Sequence, residues 1–288
     1  MMKKPILTVF LVLTSTFVIA QYPIPFLGSN DKYGLKTKDG NIVIQPKYEY
    51  ISPFSEGLSM VYNGSTMNDD TKYGFINTIG DEVIPLKYKI AWDFKDGLAK
   101  VQLTDKWGFI DKTGKTIIPM EYNAIDEFAE GLAVAEKDGK TGFIDKNNKT
   151  IIPFNYDGAF YFSEGLASVT INNKWGFIDK TNKIVITPSF DKTDVFSEGL
   201  CGVMKNEKWG FINKTGKLLT PYKYDLVMWC KEGLIGVSNN ELWGFIDKTG
   251  KVITPIQYRL IEDFKGGKAK VELNGKEFYI NKSGQKIK

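Results

Sequence analysis

Short apolar runs alternate with polar turns along the chain after residue 30. In residues 106–115, KWGFIDKTGK, an aromatic and β-branched run precedes a polar turn, and a second apolar run, TIIP, follows. Two such runs joined by a short polar turn predict a β-hairpin. The last turn position is glycine or asparagine in every copy, as a type I turn closed by a G1 bulge requires. These positions are Gly40, Gly80, Gly114, Asn148, Asn182, Gly216, Gly250 and Gly284.

The hairpin pattern recurs eight times. The position of the first aromatic residue is occupied by Tyr33, Tyr73, Trp107, Thr141, Trp175, Trp209, Trp243 and Glu277. These positions are 40 residues apart once and then 34 residues apart six times. The long spacing contains NGSTMNDD (63–70), which we interpret as a lengthened surface loop.

Each unit continues past the hairpin in the same way. The second strand is expected to end near a proline such as Pro119, because proline cannot donate to a ladder. A linking segment with two aromatic columns follows, and then a third strand such as GLAVA. The sequence thus predicts an all-β fold of eight repeats, each of about 34 residues and each a three-stranded antiparallel meander.

One such unit cannot bury its apolar face alone, so neighbouring units must complete the core. We predict an open β-superhelix, a solenoid-like array; the alternative is a closed β-propeller. Both chain ends fall at a repeat boundary, which favours the open array.

Residues 1–20 differ from the rest. Lys3 and Lys4 precede an apolar run from Ile6 to Ile19, and Ala20 ends it, a pattern typical of a secretory signal peptide. The run is too short to cross a bilayer, and no later run reaches about 20 residues, so no membrane span is expected after signal removal. We expect residues 21–288 to form a single repeat array, exported as a monomer to the periplasm, the cell surface or the medium.

Composition excludes several kinds of chemistry. The chain has no histidine, which removes histidine-dependent catalysis and histidine-ligated zinc. Without the two lysines of the signal peptide, 36 basic residues face 34 acidic ones, and the only arginine is Arg259. This balance argues against a nucleic-acid partner. We expect no cofactor and no metal. Cys201 and Cys230 occupy apolar positions of the repeat, which favours buried free thiols over a disulfide.

Four segments carry a resemblance to a known family: KWGFIDKTGK (106–115), KWGFIDKTNK (174–183), KWGFINKTGK (208–217) and LWGFIDKTGK (242–251). With YNAIDEFAEGLAVA (122–135), they resemble the bacterial WG-repeat family, also called KWG repeats, over residues 30 to 284. The resemblance implies β-rich repeats, export and an interaction role, and it implies no catalytic residues. The chain departs from the motif at Thr141 and at KEFY (276–279).

Regular columns are expected to be structural. The Trp-Gly column could offer sugar-stacking platforms, but its regular recurrence favours core packing. Stacking could bring an acidic column together with the lysines that flank the Trp-Gly strand; we expect solvated turns with local pairing, and the alternative is binding of a cation or a charged polymer. The acidic residues are Glu56, Asp96, Glu130, Glu164, Glu198 and Glu232, and the lysines are Lys32, Lys72, Lys106, Lys140, Lys174, Lys208 and Lys276. A catalytic carboxylate pair should be singular rather than repeated. We therefore expect no enzyme; the alternative is a carboxylate-dependent hydrolase acting on glycans.

The interruptions of the repeat are the better candidates for function. In the linking segment, two adjacent positions are mostly polar, acidic or aliphatic, but Trp92, Phe160, Tyr161 and Trp229 break this rule in every second repeat. Exposed aromatics on a polar strip mark interaction surfaces; alternatively, neighbouring units enclose them. The sequence predicts an exported scaffold that binds a protein or an envelope polysaccharide through these four residues.

Overall fold

The computed structural model of the chain describes residues 22–64 and 70–287, and the strands there form eight antiparallel sheets. The predicted signal peptide and most of the NGSTMNDD insertion lie outside these residues. We number the sheets in chain order. Sheet 1 contains β1 (Ile24–Leu27), β2 (Tyr33–Lys36) and β3 (Ile42–Tyr48). Sheet 2 contains β4 (Tyr50–Ile51), β5 (Leu58–Asn63), β6 (Lys72–Asn77) and β7 (Glu82–Tyr88).

The next three sheets repeat this arrangement. Sheet 3 contains β8 (Ile90–Ala91), β9 (Leu98–Gln102), β10 (Trp107–Asp111) and β11 (Thr116–Tyr122). Sheet 4 contains β12 (Ala124–Ile125), β13 (Leu132–Lys137), β14 (Lys140–Asp145) and β15 (Thr150–Tyr156). Sheet 5 contains β16 (Gly158–Ala159), β17 (Leu166–Ile171), β18 (Lys174–Asp179) and β19 (Ile184–Phe190).

The last three sheets complete the series. Sheet 6 contains β20 (Lys192–Thr193), β21 (Leu200–Lys205), β22 (Lys208–Asn213) and β23 (Leu218–Tyr224). Sheet 7 contains β24 (Leu226–Val227), β25 (Leu234–Asn239), β26 (Leu242–Asp247) and β27 (Val252–Tyr258). Sheet 8 contains β28 (Leu260–Ile261), β29 (Lys268–Leu273), β30 (Lys276–Asn281) and β31 (Lys286–Ile287).

The predicted all-β repeat array is confirmed. The described residues contain no helix, and none of the sheets closes into a barrel. The linking segment adds a two-residue strand to each of sheets 2 to 8, so these meanders have four strands and each sheet begins in the linker. The chain divides into two compact units, Met1–Lys87 and Tyr88–Lys288. Sheet 1 and most of sheet 2 belong to the first unit, and sheets 3 to 8 belong to the second.

The hairpin between the last two long strands forms as its sequence predicts. In sheet 3, the Asp111 carboxylate accepts hydrogen bonds from the backbone N–H groups of Thr113 and Lys115 at 2.9 and 3.0 Å. Gly114 then takes a φ of 82°. All eight predicted glycine and asparagine positions have φ between 63° and 92°, so the turn prediction is confirmed.

A bulge explains the glycine that follows each tryptophan. Trp107 pairs with Tyr122 but Phe109 pairs with Ile118, so β11 accommodates extra residues around Pro119. This bulge brings the β11 backbone against Gly108, where a Cβ atom would lie 2.4 Å from the Ile118 carbonyl oxygen. The prediction that the second strand ends at the proline is wrong. Proline is accommodated inside the strand because β11 is an edge strand with a bulge.

The core lies between consecutive sheets. One cluster combines Phe143 and Ile152 of sheet 4 with Phe162, Val169 and Ile178 of sheet 5. The clusters between sheets 3 and 4, 5 and 6, 6 and 7, 7 and 8, and 1 and 2 draw on equivalent positions of the repeat, although Cys201, Cys230 and Leu35 replace the usual residue at three of them. Each repeat therefore depends on a neighbouring repeat to bury its apolar side chains, as the sequence predicts.

Candidate functional site

The four aromatic residues that interrupt the repeat lie on the surface. The exposed fraction is 54% for Trp92, 41% for Phe160, 36% for Tyr161 and 45% for Trp229. They follow the first short strand of sheets 3, 5 and 7, at two adjacent positions of the repeat. Their exposure leaves all four side chains available for contact with another molecule.

The backbone at these positions remains tied to the sheet. The Trp92 N–H donates to the Lys100 carbonyl oxygen at 3.0 Å, and the Phe160 N–H donates to the Ser168 carbonyl oxygen at 3.0 Å. The pairing of the first strand thus continues one residue beyond its end. The aromatic side chains are therefore presented from an ordered backbone.

Trp92, Phe160 and Trp229 each have a neighbour on their own sheet. The Lys100 Nζ lies 5.2 Å from the ring centroids of both Trp92 and Trp107, within cation–π range. Phe160 stacks on Trp175 with centroids 5.1 Å apart and an interplanar angle of 17°. The Lys231 Nζ lies 5.6 Å from the Trp229 ring centroid. These contacts orient the rings while leaving a large part of each exposed.

The regular tryptophans have a structural place. Trp107, Trp175, Trp209 and Trp243 are half-buried and pack against the clusters between sheets. The prediction of core packing is confirmed, with the difference that each indole covers the edge of a cluster while the neighbouring glycine lies inside.

A carboxylate in the turn before the third strand links one sheet to the next. The Glu130 carboxylate of sheet 4 accepts a hydrogen bond from the Gly165 N–H of sheet 5 at 3.1 Å. It also forms an ion pair with Lys180, whose Nζ lies 3.1 Å from the Glu130 Oε2. We call this arrangement of glutamate, glycine N–H and lysine a clamp. Equivalent clamps link Glu164 with Gly199 and Lys214, Glu198 with Gly233 and Lys248, and Glu232 with Gly267 and Lys282.

The acidic column could have paired with the lysines that flank the Trp-Gly strand, but the structure shows a different pairing. Four of those lysines pair instead with acidic residues at the start of the linking segment: Lys32, Lys140, Lys174 and Lys208. The Lys140 Nζ, for example, lies 2.7 Å from the Asp157 Oδ1. The clamp lysines come from the hairpin turn of the next sheet, because that turn, rather than the Trp-Gly strand, stacks over the acidic residue.

The acidic residue has an unusual backbone conformation, which its two-residue turn requires, because Asp96 forms no clamp and has a φ of 51° as well. Glu130, Glu164, Glu198 and Glu232 have φ between 50° and 53°, where a residue with a side chain costs about 1–2 kcal/mol. The contacts to the next sheet offset this cost. The ion pair with Lys282 and the Gly267 N–H also hold the pKa of the Glu232 carboxyl below its ordinary value.

The clamp is interrupted between sheets 3 and 4. There the acidic residue is Asp96, one methylene shorter than glutamate, and it makes no hydrogen bond or ion pair with the Gly131 N–H or with Lys146 among the described residues. A cleft lies beside it, lined by Trp92, Lys100, Phe128 and Lys146 among others. Asp96 belongs to the acidic column, and the cleft beside it was not predicted, although an aspartate among glutamates distinguishes this position in the sequence.

The two cysteines are buried free thiols, as predicted. Burial raises the pKa of Cys201, and it raises the pKa of Cys230 to about 11. Neither thiol therefore has the character of a nucleophile near neutral pH. Within residues 22–64 and 70–287, no cluster of three or more acidic or cysteine side chains is arranged to hold a metal ion.

Two kinds of comparison place the chain among known proteins. The model of the family described as WG containing repeat matches residues 33–65, 73–107, 107–140, 142–175, 175–209, 209–243 and 243–276. No curated protein matches the chain.

One solved structure shares the fold, and a second aligns over most of the chain at a lower score. A crystal structure of a eukaryotic initiation factor aligns with a TM-score of 0.54 at 12% identity and covers 94% of this chain and 88% of that one. Hsv2p of Kluyveromyces lactis aligns with a TM-score of 0.44 at 7% identity and covers 80% of this chain and 92% of that one. At this identity, the likeness concerns the fold alone.

Over the described residues, the structure contains no helix of the length and hydrophobicity needed to cross a bilayer.

Proposed function

The chain belongs to the WG containing repeat family, and from this premise we propose that it is an exported, non-enzymatic scaffold that binds a protein or a cell-envelope glycan. The observation that carries the proposal is the exposure of Trp92, Phe160, Tyr161 and Trp229 at equivalent positions of alternate sheets. Aromatic side chains supply much of the binding energy in interfaces because they bury a large area with few rotatable bonds.

The surroundings of the carboxyl groups, which set their pKa values, favour a binding role over hydrolysis. A glycosidase needs one carboxyl group whose pKa is raised and a second one nearby. In the clamp residue Glu232 the pKa is instead lowered, because Lys282 and backbone N–H groups favour the ionised form. Partial burial raises the pKa of Asp263, so a hydrolase would be tested first at this residue. Turnover of envelope glycans by the purified protein, abolished in Asp263→Asn, would contradict the proposal.

The scaffold proposal is tested by replacing the four aromatics with serine. Immobilised protein is mixed with a cell-envelope extract of the producing bacterium, divided into protein and glycan fractions. We expect the fourfold variant to lose capture from one fraction while its melting temperature stays near that of the unmodified protein. The matched control replaces Ile184, Leu218 and Val252, which are exposed apolar residues elsewhere in the repeat, with serine. It should capture as well as the unmodified protein.

Two results would contradict the proposal. A large fall in melting temperature of the fourfold variant would assign these aromatics to the core. Equal loss of capture in the control would mean that general surface hydrophobicity, rather than the interrupting residues, retains the ligand.

A further inference from the structure

The two sheets without an aromatic residue at the Trp-Gly position each have a pocket there. Thr141 occupies that position in sheet 4 and Glu277 occupies it in sheet 8, and each lines a pocket. In sheets 3, 5, 6 and 7, an indole at the same position covers the edge of a core cluster. Among the described residues, no indole packs against the cluster between sheets 4 and 5. The pocket of sheet 4 therefore lies where the other sheets place an indole.

Short side chains make this pocket wide. Ala124, Glu136 and Thr141 lie opposite one another on β12, β13 and β14, so their side chains share one face of sheet 4. Gly158 and Ala159 of sheet 5, which also have little bulk, line the other side. The volume is about 250 Å³. Because an apolar cavity of about 150 Å³ holds benzene, this pocket has room for a ligand with one or two aromatic rings.

The charges around the pocket favour a cation. Its lining contains the carboxylates of Asp126, Glu136 and Asp157 and no lysine or arginine. The Asp157 carboxylate is already engaged, because it accepts hydrogen bonds from the Lys140 Nζ at 2.7 Å and the Asn172 N–H at 2.9 Å. The carboxylates of Asp126 and Glu136 form no ion pair or hydrogen bond with any described residue. A neutral or acidic ligand would leave both without a counter-charge.

A buried hydroxyl group in the lining also lacks a partner. Thr141 is only 7% exposed, and its hydroxyl forms no hydrogen bond with any residue that the structure describes. Buried polar groups are almost always hydrogen-bonded, and a threonine hydroxyl can accept a hydrogen bond from a bound donor. Within the described ranges, no three carboxylates are arranged to hold a metal ion. These groups therefore suit an organic cation.

Sheet 8 shows how the same carboxylate position receives a cation. Glu272 is the counterpart of Glu136, and its carboxylate accepts hydrogen bonds from the Arg259 Nε and Nη2 at 2.6 and 2.5 Å. The backbone N–H of Arg259 donates to the Glu272 carbonyl oxygen at 2.9 Å, and the N–H of Asn123 donates to the Glu136 carbonyl oxygen at 2.8 Å. Asn123 thus occupies the place of Arg259, and its neutral side chain leaves Glu136 without a cation.

We propose that the pocket of sheet 4 binds an aromatic amine, a flat ring joined by a short chain to an ammonium group. The ring lies in the place of the missing indole. The ammonium group donates hydrogen bonds to the Glu136 carboxylate, as Arg259 does to Glu272, and to the Thr141 hydroxyl. The pocket contains none of the four interrupting aromatics, so the inference goes beyond the scaffold proposal.

The test uses tryptamine as the probe and tryptophol, which carries a hydroxyl group instead of the amine, as the matched neutral ligand. Calorimetry on the full mature chain near neutral pH measures both. We expect tryptamine to bind and tryptophol to bind at least tenfold more weakly, about the effect of losing a charged hydrogen bond. Butylamine, which lacks the ring, should also bind at least tenfold more weakly than tryptamine, because it buries less apolar area.

One conservative substitution tests the carboxylate. Glu136→Gln should weaken tryptamine binding by about tenfold while leaving tryptophol binding unchanged. The matched control is Glu82→Gln, at an exposed carboxylate on β7 outside the pocket, and it should leave tryptamine binding unchanged. Because Glu136→Gln keeps the shape of the side chain, it decides the question even where a larger substitution disturbs folding. An unchanged tryptamine affinity in this variant would overturn the inference.

Two further variants fill the pocket from the protein itself. Thr141→Trp restores the indole of the other sheets, and Asn123→Arg places a guanidinium group beside Glu136, as in sheet 8. We expect each to abolish tryptamine binding without lowering the melting temperature. Unchanged affinity in either folded variant would overturn the inference, as would equal binding of tryptamine and tryptophol, or no binding of tryptamine. Capture through the four interrupting aromatics does not use this pocket, so the two proposals fail separately.

Discussion

Replacing Gly176 with alanine tests whether the Trp-Gly motif is a packing device. A Cβ atom at this position would lie 2.5 Å from the Ile186 carbonyl oxygen and 2.6 Å from the Pro188 nitrogen. Both are backbone atoms of the bulged strand β19. An ordinary carbon–oxygen contact is about 3.3 Å, so the bulge must move by roughly 0.8 Å.

The movement of the bulge lowers the free energy of unfolding. Forcing one carbon into a closely packed site costs about 1–3 kcal/mol. For a chain of this size, 1 kcal/mol corresponds to about 2–4 °C in melting temperature, so we expect a fall of about 2–12 °C. Circular dichroism at increasing temperature measures it, and urea unfolding gives the free energy of unfolding independently.

Gly158→Ala is the matched control. Its Cβ atom would first meet the Thr170 side chain, at 3.2 Å, and that methyl group can move. We expect its free energy of unfolding to stay within about 1 kcal/mol of the unmodified protein. If Gly176→Ala unfolds at the same temperature as this control, the bulge does not require glycine and our explanation of the motif is wrong.

The remaining predictions concern the core, the clamps and the thiols. Phe177→Ala, at a ring buried between sheets 5 and 6, should lower the free energy of unfolding by about 3–5 kcal/mol, and a loss below 1 kcal/mol in urea titration would contradict the inter-sheet core. Because the pKa of Glu232 is lower in the folded chain than its ordinary value of 4.5, its stabilisation is present above pH 4.5 and is lost as the pH falls through the folded pKa. Glu232→Gln should therefore flatten the acid limb of the stability profile, and an unchanged limb would show that this clamp does not stabilise the fold. Cys201 and Cys230 should react with a thiol reagent only after denaturation, and their mass should be the same with and without reductant; rapid labelling of the native protein would contradict their burial.

Much of the fold could be predicted because it is local. A turn such as DKTG encodes its own geometry through the aspartate hydrogen bonds and the positive φ of Gly114. The repeat then indicates that every unit forms the same hairpin. The bulge at Pro119 was not predicted, because a proline at a strand end and a proline at a bulge in an edge strand give the same sequence pattern.

Contacts between sheets were harder to predict. Lys180 reaches Glu130 across 50 residues, and the choice of this lysine over the one that flanks the Trp-Gly strand depends on how one sheet stacks over the next. Phe278 replaces the glycine of the motif, and only the pairing between the last two strands explains why a side chain fits there. The last strand, β31, pairs through Tyr279 and Ile280 without a bulge, so Phe278 meets no bulged backbone on that side.

The candidate site was located by the interruptions of the repeat, and the structure places all four aromatics on the surface. The cleft beside Trp92 was missed, because its origin lies in the reach of Asp96 toward groups of the next sheet. Aspartate for glutamate is a small change in sequence, and its consequence depends on the distance between sheets.

The central claim is that the interrupting aromatics bind and the regular ones hold the fold. The most direct measurement compares Trp229→Ala with Trp209→Ala, recording for each the affinity for the captured envelope fraction and the melting temperature. We expect Trp229→Ala to lose affinity at an unchanged melting temperature, and Trp209→Ala to melt earlier while the folded protein keeps its affinity. The reverse pattern, with binding lost in Trp209→Ala and stability lost in Trp229→Ala, would contradict the account.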